Sequence, residues 1–311
     1  MSGGGVAGGP ITGGARLDAL GAADDAVAAF QIEDEPVRGR IARLADSLDE
    51  ILGAHDYPDA VARLLGEAVI AAALVGHSLK FEGRLVVQAS GDGPVSFLVA
   101  DYRTEGAVRA YARVDPARRA EIGDGWGASR LLGTGTLALT IDPLDEKERY
   151  QGVVELQGDS LSDAVEYYFR QSEQVPTRVR IAVARFQAAG LPHWRGGGMI
   201  IQQIAGDAAR GDAAEAWNTA RALFDTLSDE ELVDPDLSGG RVLFRLFHET
   251  GVRLFDPAPL RRYCQCSAER VKTVLASFPA AEREAMAQDG AISAACEYCN
   301  TTYRFAPEDL E

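Results

Sequence analysis

Apolar residues recur at helical spacing in the stretch from Asp59 to Leu79. They return every three or four positions, which is the period of one face of an α-helix, so we predict a long helix here. The residues that carry this pattern are Val61, Leu64, Leu65, Ala68, Val69 and Ala72. A second helix is predicted over Ser160–Gln171, because Ser160 and Asp163 have the spacing of a capping box. Its apolar stripe consists of Leu161, Val165, Tyr168 and Phe169.

After the first helix the pattern changes to alternation between apolar and polar residues. Such period-two alternation is typical of antiparallel strands with one solvated face. The predicted strands are Arg84–Ala89, Val95–Ala100, Val108–Arg113, Leu137–Ile141 and Arg178–Val183. Because strands and helices follow one another in irregular order, residues 27–207 are predicted to form an α+β core domain of mixed sheet and helix.

Residues 208–258 are predicted to be a helical linker without strands. Three short helices are indicated by apolar spacing, by a capping box and by terminating Pro and Gly residues. The residues concerned are Trp217, Ala220, Phe224 and Leu227 in the first helix, Ser228, Glu231, Asp234 and Pro235 around the second, and Leu243, Leu246, Phe247 and Gly251 in the third. Short helices are marginal in water when isolated. The linker should therefore be metastable and depend on docking against a neighbour.

The chain of 311 residues is acidic, with a formal net charge of −16. That charge repels phosphate backbones and anionic lipid, so neither nucleic acid nor a membrane is expected as a partner. Residues 1–26 are rich in glycine and are predicted to be a disordered tail, because such a segment cannot bury enough surface to fold. The tail lacks the apolar core of a signal peptide, and the longest apolar run, Ala68–Val75, is too short to cross a bilayer. We expect a cytoplasmic protein.

All four cysteines lie in the last 48 residues of the chain. The pairs Cys264/Cys266 and Cys296/Cys299 are separated by 29 residues. Two close pairs joined by a helix-sized spacer are typical of a tetrahedral four-thiolate zinc site, with bonds of about 2.3 Å. Such a site keeps no open position for a substrate, which disfavours catalysis. We predict one zinc ion per chain, held by a C-terminal domain of residues 259–311.

Other interpretations of the cysteines meet physical objections. A zinc ribbon for nucleic acid needs a basic surface, but residues 259–311 contain six Lys and Arg against eight Asp and Glu. A disulfide reductase places its cysteine pair on a thioredoxin-like strand–helix unit, and the order of elements here is different. We find no enzyme active site. A permanently folded zinc adaptor that docks another protein stays open as an alternative.

The cysteine spacing also suggests a response to oxidation. A domain of about fifty residues has too small a core to fold without a cross-link such as zinc. The disulfides Cys264–Cys266 and Cys296–Cys299 would each close only a tiny loop, so neither would replace the cross-link between the two pairs. Oxidation is therefore expected to release zinc and to unfold the domain.

Several motifs resemble the heat-shock protein 33 family, over the chain from about residue 30 to its end. The matching stretches are Tyr263-Cys264-Gln265-Cys266-Ser267-Ala268-Glu269-Arg270, Cys296-Glu297-Tyr298-Cys299, Tyr303-Arg304-Phe305, Tyr168–Thr177, Gly196–Met199 and Arg245–Glu249. The Gly-rich tail departs from the family pattern. Asn300 also departs from it, since the family often has Gly there, but Asn tolerates a left-handed backbone and should preserve the turn.

The resemblance implies an ATP-independent holdase chaperone that is idle while reduced and zinc-bound. Oxidants and unfolding conditions would make it form a homodimer and bind unfolding client proteins. The resemblance gives the four cysteines, Cys264, Cys266, Cys296 and Cys299, two roles: they ligate zinc when reduced and form redox-active disulfides when oxidised. It assigns no catalytic residue.

Overall fold

The computed structural model describes residues 24–78, 82–144, 148–188, 190–204 and 213–310. In chain order the strands are β1 (Ala26–Ile32), β2 (Val37–Leu44), β3 (Gly83–Gly91), β4 (Val95–Arg103), β5 (Ala107–Val114), β6 (Gly135–Pro143), β7 (Tyr150–Glu155), β8 (Thr177–Ala188), β9 (Leu191–Gln203), β10 (Val252–Leu254), β11 (Ala258–Pro259), β12 (Arg261–Arg262), β13 (Ile292–Ala295) and β14 (Thr302–Phe305). The α-helices are α1 (Asp46–Leu52), α2 (Asp59–Gly76), α3 (Ala128–Leu132), α4 (Leu161–Tyr168), α5 (Ala213–Phe224), α6 (Asp229–Val233), α7 (Gly239–Phe247), α8 (Ala268–Ala276) and α9 (Ala280–Met286).

The described strands form two six-stranded sheets and one hairpin, β13-β14. The first sheet has the order β10-β1-β2-β9-β8, with β11 also paired to β1, and the second has the order β12-β5-β4-β3-β6-β7. Their pairings are antiparallel, apart from the parallel pair β12-β5. This mixture of sheets and helices confirms the predicted α+β class.

The central helix α2 lies between the two large sheets. Fifteen of its eighteen residues are buried, because it contacts strands of both sheets. A helix that is apolar on nearly all sides is expected in such a position. The predicted helix therefore begins correctly at Asp59, but it ends at Gly76 with His77 as its C-cap, before the predicted end at Leu79, which lies outside the described residues. None of the described helices has both the length and the hydropathy needed to span a bilayer.

The linker helices α5, α6 and α7 cover the outer face of the first sheet. Ser228 and Glu231 form the predicted capping box at the start of α6, and Gly251 follows α7 with a φ of 81°. The predicted apolar stripes pack with strands β1, β2 and β9 in a second core, separate from the core around α2. The buried linker residues of this core are Ala220, Phe224, Leu227, Leu232, Val233, Val242, Leu243, Leu246, Phe247, Val252 and Leu254.

Glycines in β9 allow helices to approach the first sheet closely from both faces. A Cβ atom at Gly197 would lie 2.2 Å from the carbonyl oxygen of Leu232 in α6. Cβ atoms at Gly196 and Gly198 would each lie 2.6 Å from Ile70 of α2. Any side chain at Gly197 would therefore push the linker away from the sheet.

Strands β1, β2, β7 and β9 of the core region are absent from the sequence-based expectation. Strand β2 shows the physical reason, because α2 covers one of its faces and the linker helices cover the other. A strand that is buried on both faces does not alternate between apolar and polar residues. The second predicted helix begins as expected, since Ser160 and Asp163 form a reciprocal capping box. It then passes into a π-helical turn at Phe169–Glu173.

Two expectations about segment boundaries require correction. The prediction that residues 208–258 contain no strand is wrong, because β10 pairs with β1 and β11 pairs with it as well. The predicted tail of residues 1–26 also extends too far, since β1 begins at Ala26. The Asp25 carboxylate already accepts hydrogen bonds from the backbone N–H groups of Ala45 and Ser47. The rest of the predicted tail, residues 1–23, lies outside the described residues.

The C-terminal segment, residues 264–310, has little apolar core of its own. It consists of α8, α9 and the β13-β14 hairpin, and its buried apolar residues are Leu275, Ile292 and Leu310. Three buried side chains are too few to hold a segment of this size in one conformation. A further cross-link is therefore needed for this segment to be stable.

Candidate metal centre

Two separate parts of the C-terminal segment bring the cysteines together. Cys264 and Cys266 follow β12, whose position is fixed by pairing with β5 and by the hydrogen bond from Tyr263 N–H to the Val108 carbonyl, 2.8 Å. Cys296 and Cys299 lie in the turn between β13 and β14. Asn300 closes that turn with a left-handed φ of 57°, so the expected tolerance of Asn at this position is confirmed.

The four sulfur atoms lie within 4.8 Å of one another. The Cys266 and Cys299 sulfurs are 3.3 Å apart, and those of Cys264 and Cys296 are 3.6 Å apart. Tetrahedral bonds of about 2.3 Å to zinc place thiolate sulfurs about 3.8 Å from one another. The four cysteines could therefore hold a metal ion that prefers sulfur ligands.

The thiols differ in how readily they ionise. Burial, reinforced by the neighbouring sulfurs, raises the pKa of Cys264 to about 12, and burial likewise raises the pKa of Cys266. Burial also opposes ionisation of Cys299, but its contacts with Thr301 and with neighbouring thiols lower its pKa to about 6. The Tyr303 hydroxyl donates a hydrogen bond to the Cys266 sulfur, 3.2 Å. Because a metal binds thiolates, loading this cluster with a dication would release the protons that the other thiols retain.

The two residues between Cys296 and Cys299 contact the second sheet and the loop after α1. The Arg109 guanidinium carbon lies 3.9 Å from the centre of the Tyr298 ring, and His55 Nε2 donates a hydrogen bond to the Glu297 carbonyl oxygen, 2.8 Å. We call these two interactions the docking contact. They join the metal-binding turn directly to the core.

A buried carboxylate holds Arg109 in place for this contact. Arg109 Nη2 lies 2.6 Å from Asp101 Oδ2, and Asp101 is only 4% exposed. The guanidinium therefore has a fixed orientation and presents its face to the Tyr298 ring. Arg113 Nη2 also lies 3.1 Å from Glu297 Oε1, but both side chains are exposed, so this pair contributes little stability.

We expect Tyr298→Ala to weaken docking while the protein keeps its metal. The substitution removes a cation–π interaction worth about 0.5–2 kcal/mol but no sulfur ligand. Metal analysis should give an unchanged zinc content, and amide exchange in residues 292–305 should become roughly fivefold faster. Tyr150→Ala, on the edge strand β7, is the control and should change neither quantity. Loss of zinc from Tyr298→Ala would contradict the assigned role, as would unchanged exchange.

The sequence indicated the four cysteines but not the residues that dock them. Arg109 belongs to a strand whose alternation predicts only an exposed face, and His55 is an isolated histidine. Their partners, Glu297 and Tyr298, are far away in sequence. The only available signal was that two large polar residues separate Cys296 from Cys299 in the turn.

Comparison with known proteins identifies the family. The family model described as "Hsp33 protein" matches residues 25–306. The chain belongs to the heat-shock protein 33 (Hsp33) family. Hsp33 proteins are chaperones, and the resemblance found in the sequence is thereby confirmed.

Curated relatives and a solved structure agree with this family assignment. The chain is 50% identical over 291 residues to a 33 kDa chaperonin of Caulobacter vibrioides, covering 92% of this chain and 96% of the relative. It is 40% identical over 285 residues to a 33 kDa chaperonin of Azotobacter vinelandii, covering 90% and 91%. The crystal structure of the 33 kDa chaperonin from Thermotoga maritima superposes with a TM-score of 0.75 at 25% identity, covering 92% of this chain and 96% of that one.

Proposed function

We propose that this Hsp33 protein is a redox-regulated, ATP-independent holdase that binds unfolding proteins in the cytoplasm. The reduced form holds one zinc ion and is inactive. The oxidised form loses zinc, dimerises and binds clients. The observation that carries the proposal is the convergence of four sulfurs, from two distant cysteine pairs, within 4.8 Å in a segment with almost no core.

Cys264, Cys266, Cys296 and Cys299 are the residues that would hold the zinc. When bound, the ion supplies a cross-link between the two pairs and stabilises the thiolate form of all four cysteines. The chain contributes the orientation of the sulfurs through β12 and the β13-β14 turn. Tyr303 contributes a hydroxyl donor to the Cys266 sulfur.

Oxidation by hydrogen peroxide removes the thiolates on which this arrangement depends. One thiolate attacks a peroxide oxygen, the O–O bond breaks, and a sulfenic acid forms as hydroxide leaves. The second thiol of the pair attacks that sulfur, an S–S bond forms and water leaves. Each disulfide thus uses one peroxide and transfers two electrons to it. The oxidised pair can no longer supply thiolate ligands.

We expect the disulfides to form as Cys264–Cys266 and Cys296–Cys299. In the folded site the close sulfur contacts Cys264–Cys296, 3.6 Å, and Cys266–Cys299, 3.3 Å, instead join one cysteine of each pair. Once the site opens, the closure of a short loop is favoured entropically over the closure of a long one. The wider Cys296–Cys299 spacing also strains its ring less, so this bridge should form first. Peptide mapping of the oxidised protein checks the linkages, and dominant bridges between the two pairs would refute this pairing.

Unfolding of the C-terminal segment would reach the linker through the strands that join them. The strands β10, β11 and β12 lie between α7 and Cys264 and pair with β1 and β5. Loss of these pairings would remove support from α7 and expose the second core. A stripe of such large apolar side chains is suited to unfolded clients and to association of two chains.

An aggregation assay tests the proposed function. The peroxide-treated protein, with mild heat and without ATP, should suppress aggregation of a heat-denatured test protein, and added ATP should change nothing. The reduced, zinc-loaded protein should not suppress aggregation. Light scattering should give a monomer for the reduced sample and a dimer for the oxidised one. Equal activity of both samples would contradict redox regulation and indicate a constitutive adaptor with a structural zinc.

A further inference from the structure

Strand β2 carries three arginines, and among the described residues only Arg43 has hydrogen-bond or ion-pair partners. Arg43 faces the linker, where its Nη atoms donate to the carbonyl oxygens of Leu237 and Asp234 and its Nε lies 3.6 Å from Asp24 Oδ1. Arg38 and Arg40 lie on the opposite face of the strand, on the α2 side of the sheet, as do Ala42 and Leu44. Arg43 therefore has partners for its charge, and Arg38 and Arg40 on the same strand can be compared with it.

Arg40 is buried and Arg38 is half-buried, and both lack compensation at the Nε atom. Arg40 is 8% exposed, and the Nε atoms of both arginines are buried without a hydrogen-bond partner. Within the part of the chain that the structure describes, neither guanidinium forms an ion pair. Buried charges in proteins are normally paired, so Arg40 is exceptional, and the half-buried Arg38 beside it adds a second unpaired charge.

The surroundings of Arg40 add positive charge. Burial and the nearby Arg38 lower the pKa of Arg40 to about 10. Burial and Arg40 together lower the pKa of His77, the residue that ends α2. The ring of Tyr102 fills the space beside Gly76, where a Cβ would lie 2.2 Å from the ring. Arg40 therefore lies near Tyr102 and His77 at the C-terminal end of α2, with Arg38 beside it on the strand.

The end of α2 does not balance this charge. The carbonyl groups at a helix C-terminus carry about half of one negative charge, whereas two guanidinium groups carry two positive charges. Arg38 is half-buried, so this pair of arginines is not sealed from solvent. A bound anion is the simplest arrangement that would balance the charge of both arginines.

We propose that Arg38, Arg40 and His77 form a binding site for a phosphate-type oxyanion at the end of the space between the two sheets. Residues two apart on a strand lie about 7 Å from each other on the same face, so two guanidinium groups can contact different oxygens of one tetrahedral anion. Guanidinium groups match phosphate geometry with paired N–H donors. A phosphate group carries close to two negative charges at neutral pH, which matches two arginines.

Thermal unfolding of the reduced full-length protein tests this site with inorganic phosphate as the probe. Phosphate should raise the Tm in a saturable way, and sodium chloride at equal ionic strength should not. Arg38→Met and Arg40→Met should each weaken phosphate binding at least tenfold in calorimetric titration. Arg185→Met, which removes an arginine that pairs with Asp59 on the surface, is the control and should bind phosphate like the wild type.

A second readout separates a binding site from a merely structural pair of arginines. Without phosphate, Arg40→Met should have a higher Tm than the wild type, because it removes an unbalanced buried charge. Pyrophosphate in place of phosphate distinguishes a site for a free ion from one for a phosphate chain, since only the latter should bind it more tightly. A phosphate shift that chloride reproduces, that persists in both arginine variants, or that is absent from the wild type would overturn the proposal.

Discussion

Cys296→Ser is expected to purify with less than about one-tenth of the wild-type zinc under reducing conditions. The substitution removes one of four thiolates and replaces it with a hydroxyl group, which is a poor zinc ligand. Structural zinc contributes roughly 10–16 kcal/mol in comparable small peptides. The three buried apolar side chains of the C-terminal segment are too few to offset a loss of that size. The segment should therefore unfold while the core stays folded.

Metal analysis and amide exchange check this result together. The wild type should contain one zinc per chain, and exchange in residues 264–305 should become fast in the variant. Ser293→Ala, on the exposed side of β13 three residues away, is the matched control and should keep its zinc. A reduced wild-type protein with four free thiols and no metal would contradict the metal assignment for all four cysteines.

Phe247→Ala is expected to activate the reduced protein without oxidant. Phe247 is fully buried in the core between the linker and the first sheet, where its ring centre lies 6.0 Å from that of Phe30. Truncation of a buried Phe to Ala costs about 3–5 kcal/mol. This loss weakens the docking of linker helices that are only marginally stable without their contacts to the sheet. The reduced, zinc-loaded variant should therefore suppress aggregation of a heat-denatured test protein.

The same helix offers a control for this experiment. Phe244 lies three residues earlier on α7 and is 45% exposed, so Phe244→Ala removes a similar side chain with little loss of packing. It should leave the reduced protein inactive and its zinc content unchanged. Equal activity of the two variants would mean that linker docking does not control client binding.

The features that could be predicted from the sequence are those encoded locally. The cysteine pairs are local motifs, and the capping boxes at Ser160 and Ser228 need only four residues each. The apolar stripes of the linker helices could be identified in the sequence because one face of each helix is solvated. These elements appear in the structure where the sequence places them.

The features that could not be predicted depend on long-range burial. Strand β2 is covered on both faces, so its arginines interrupt the apolar pattern instead of marking a solvated side. Strand β10 has only three residues and exists because β1 offers it an edge. Arg109 takes part in docking because its guanidinium contacts the ring of Tyr298, which lies near the other end of the sequence. In each case the partner, rather than the local sequence, determines the structure.

Hydrogen–deuterium exchange before and after peroxide treatment tests the coupling between the cysteines and the linker most directly. In the reduced, zinc-loaded protein, residues 213–247 and 264–310 should be protected. After oxidation with mild heat, both ranges should exchange rapidly, while residues 59–76 of α2 stay protected between their two sheets. A protein with both disulfides formed and residues 213–247 still protected would contradict the account, because oxidation would then leave the client-binding surface covered.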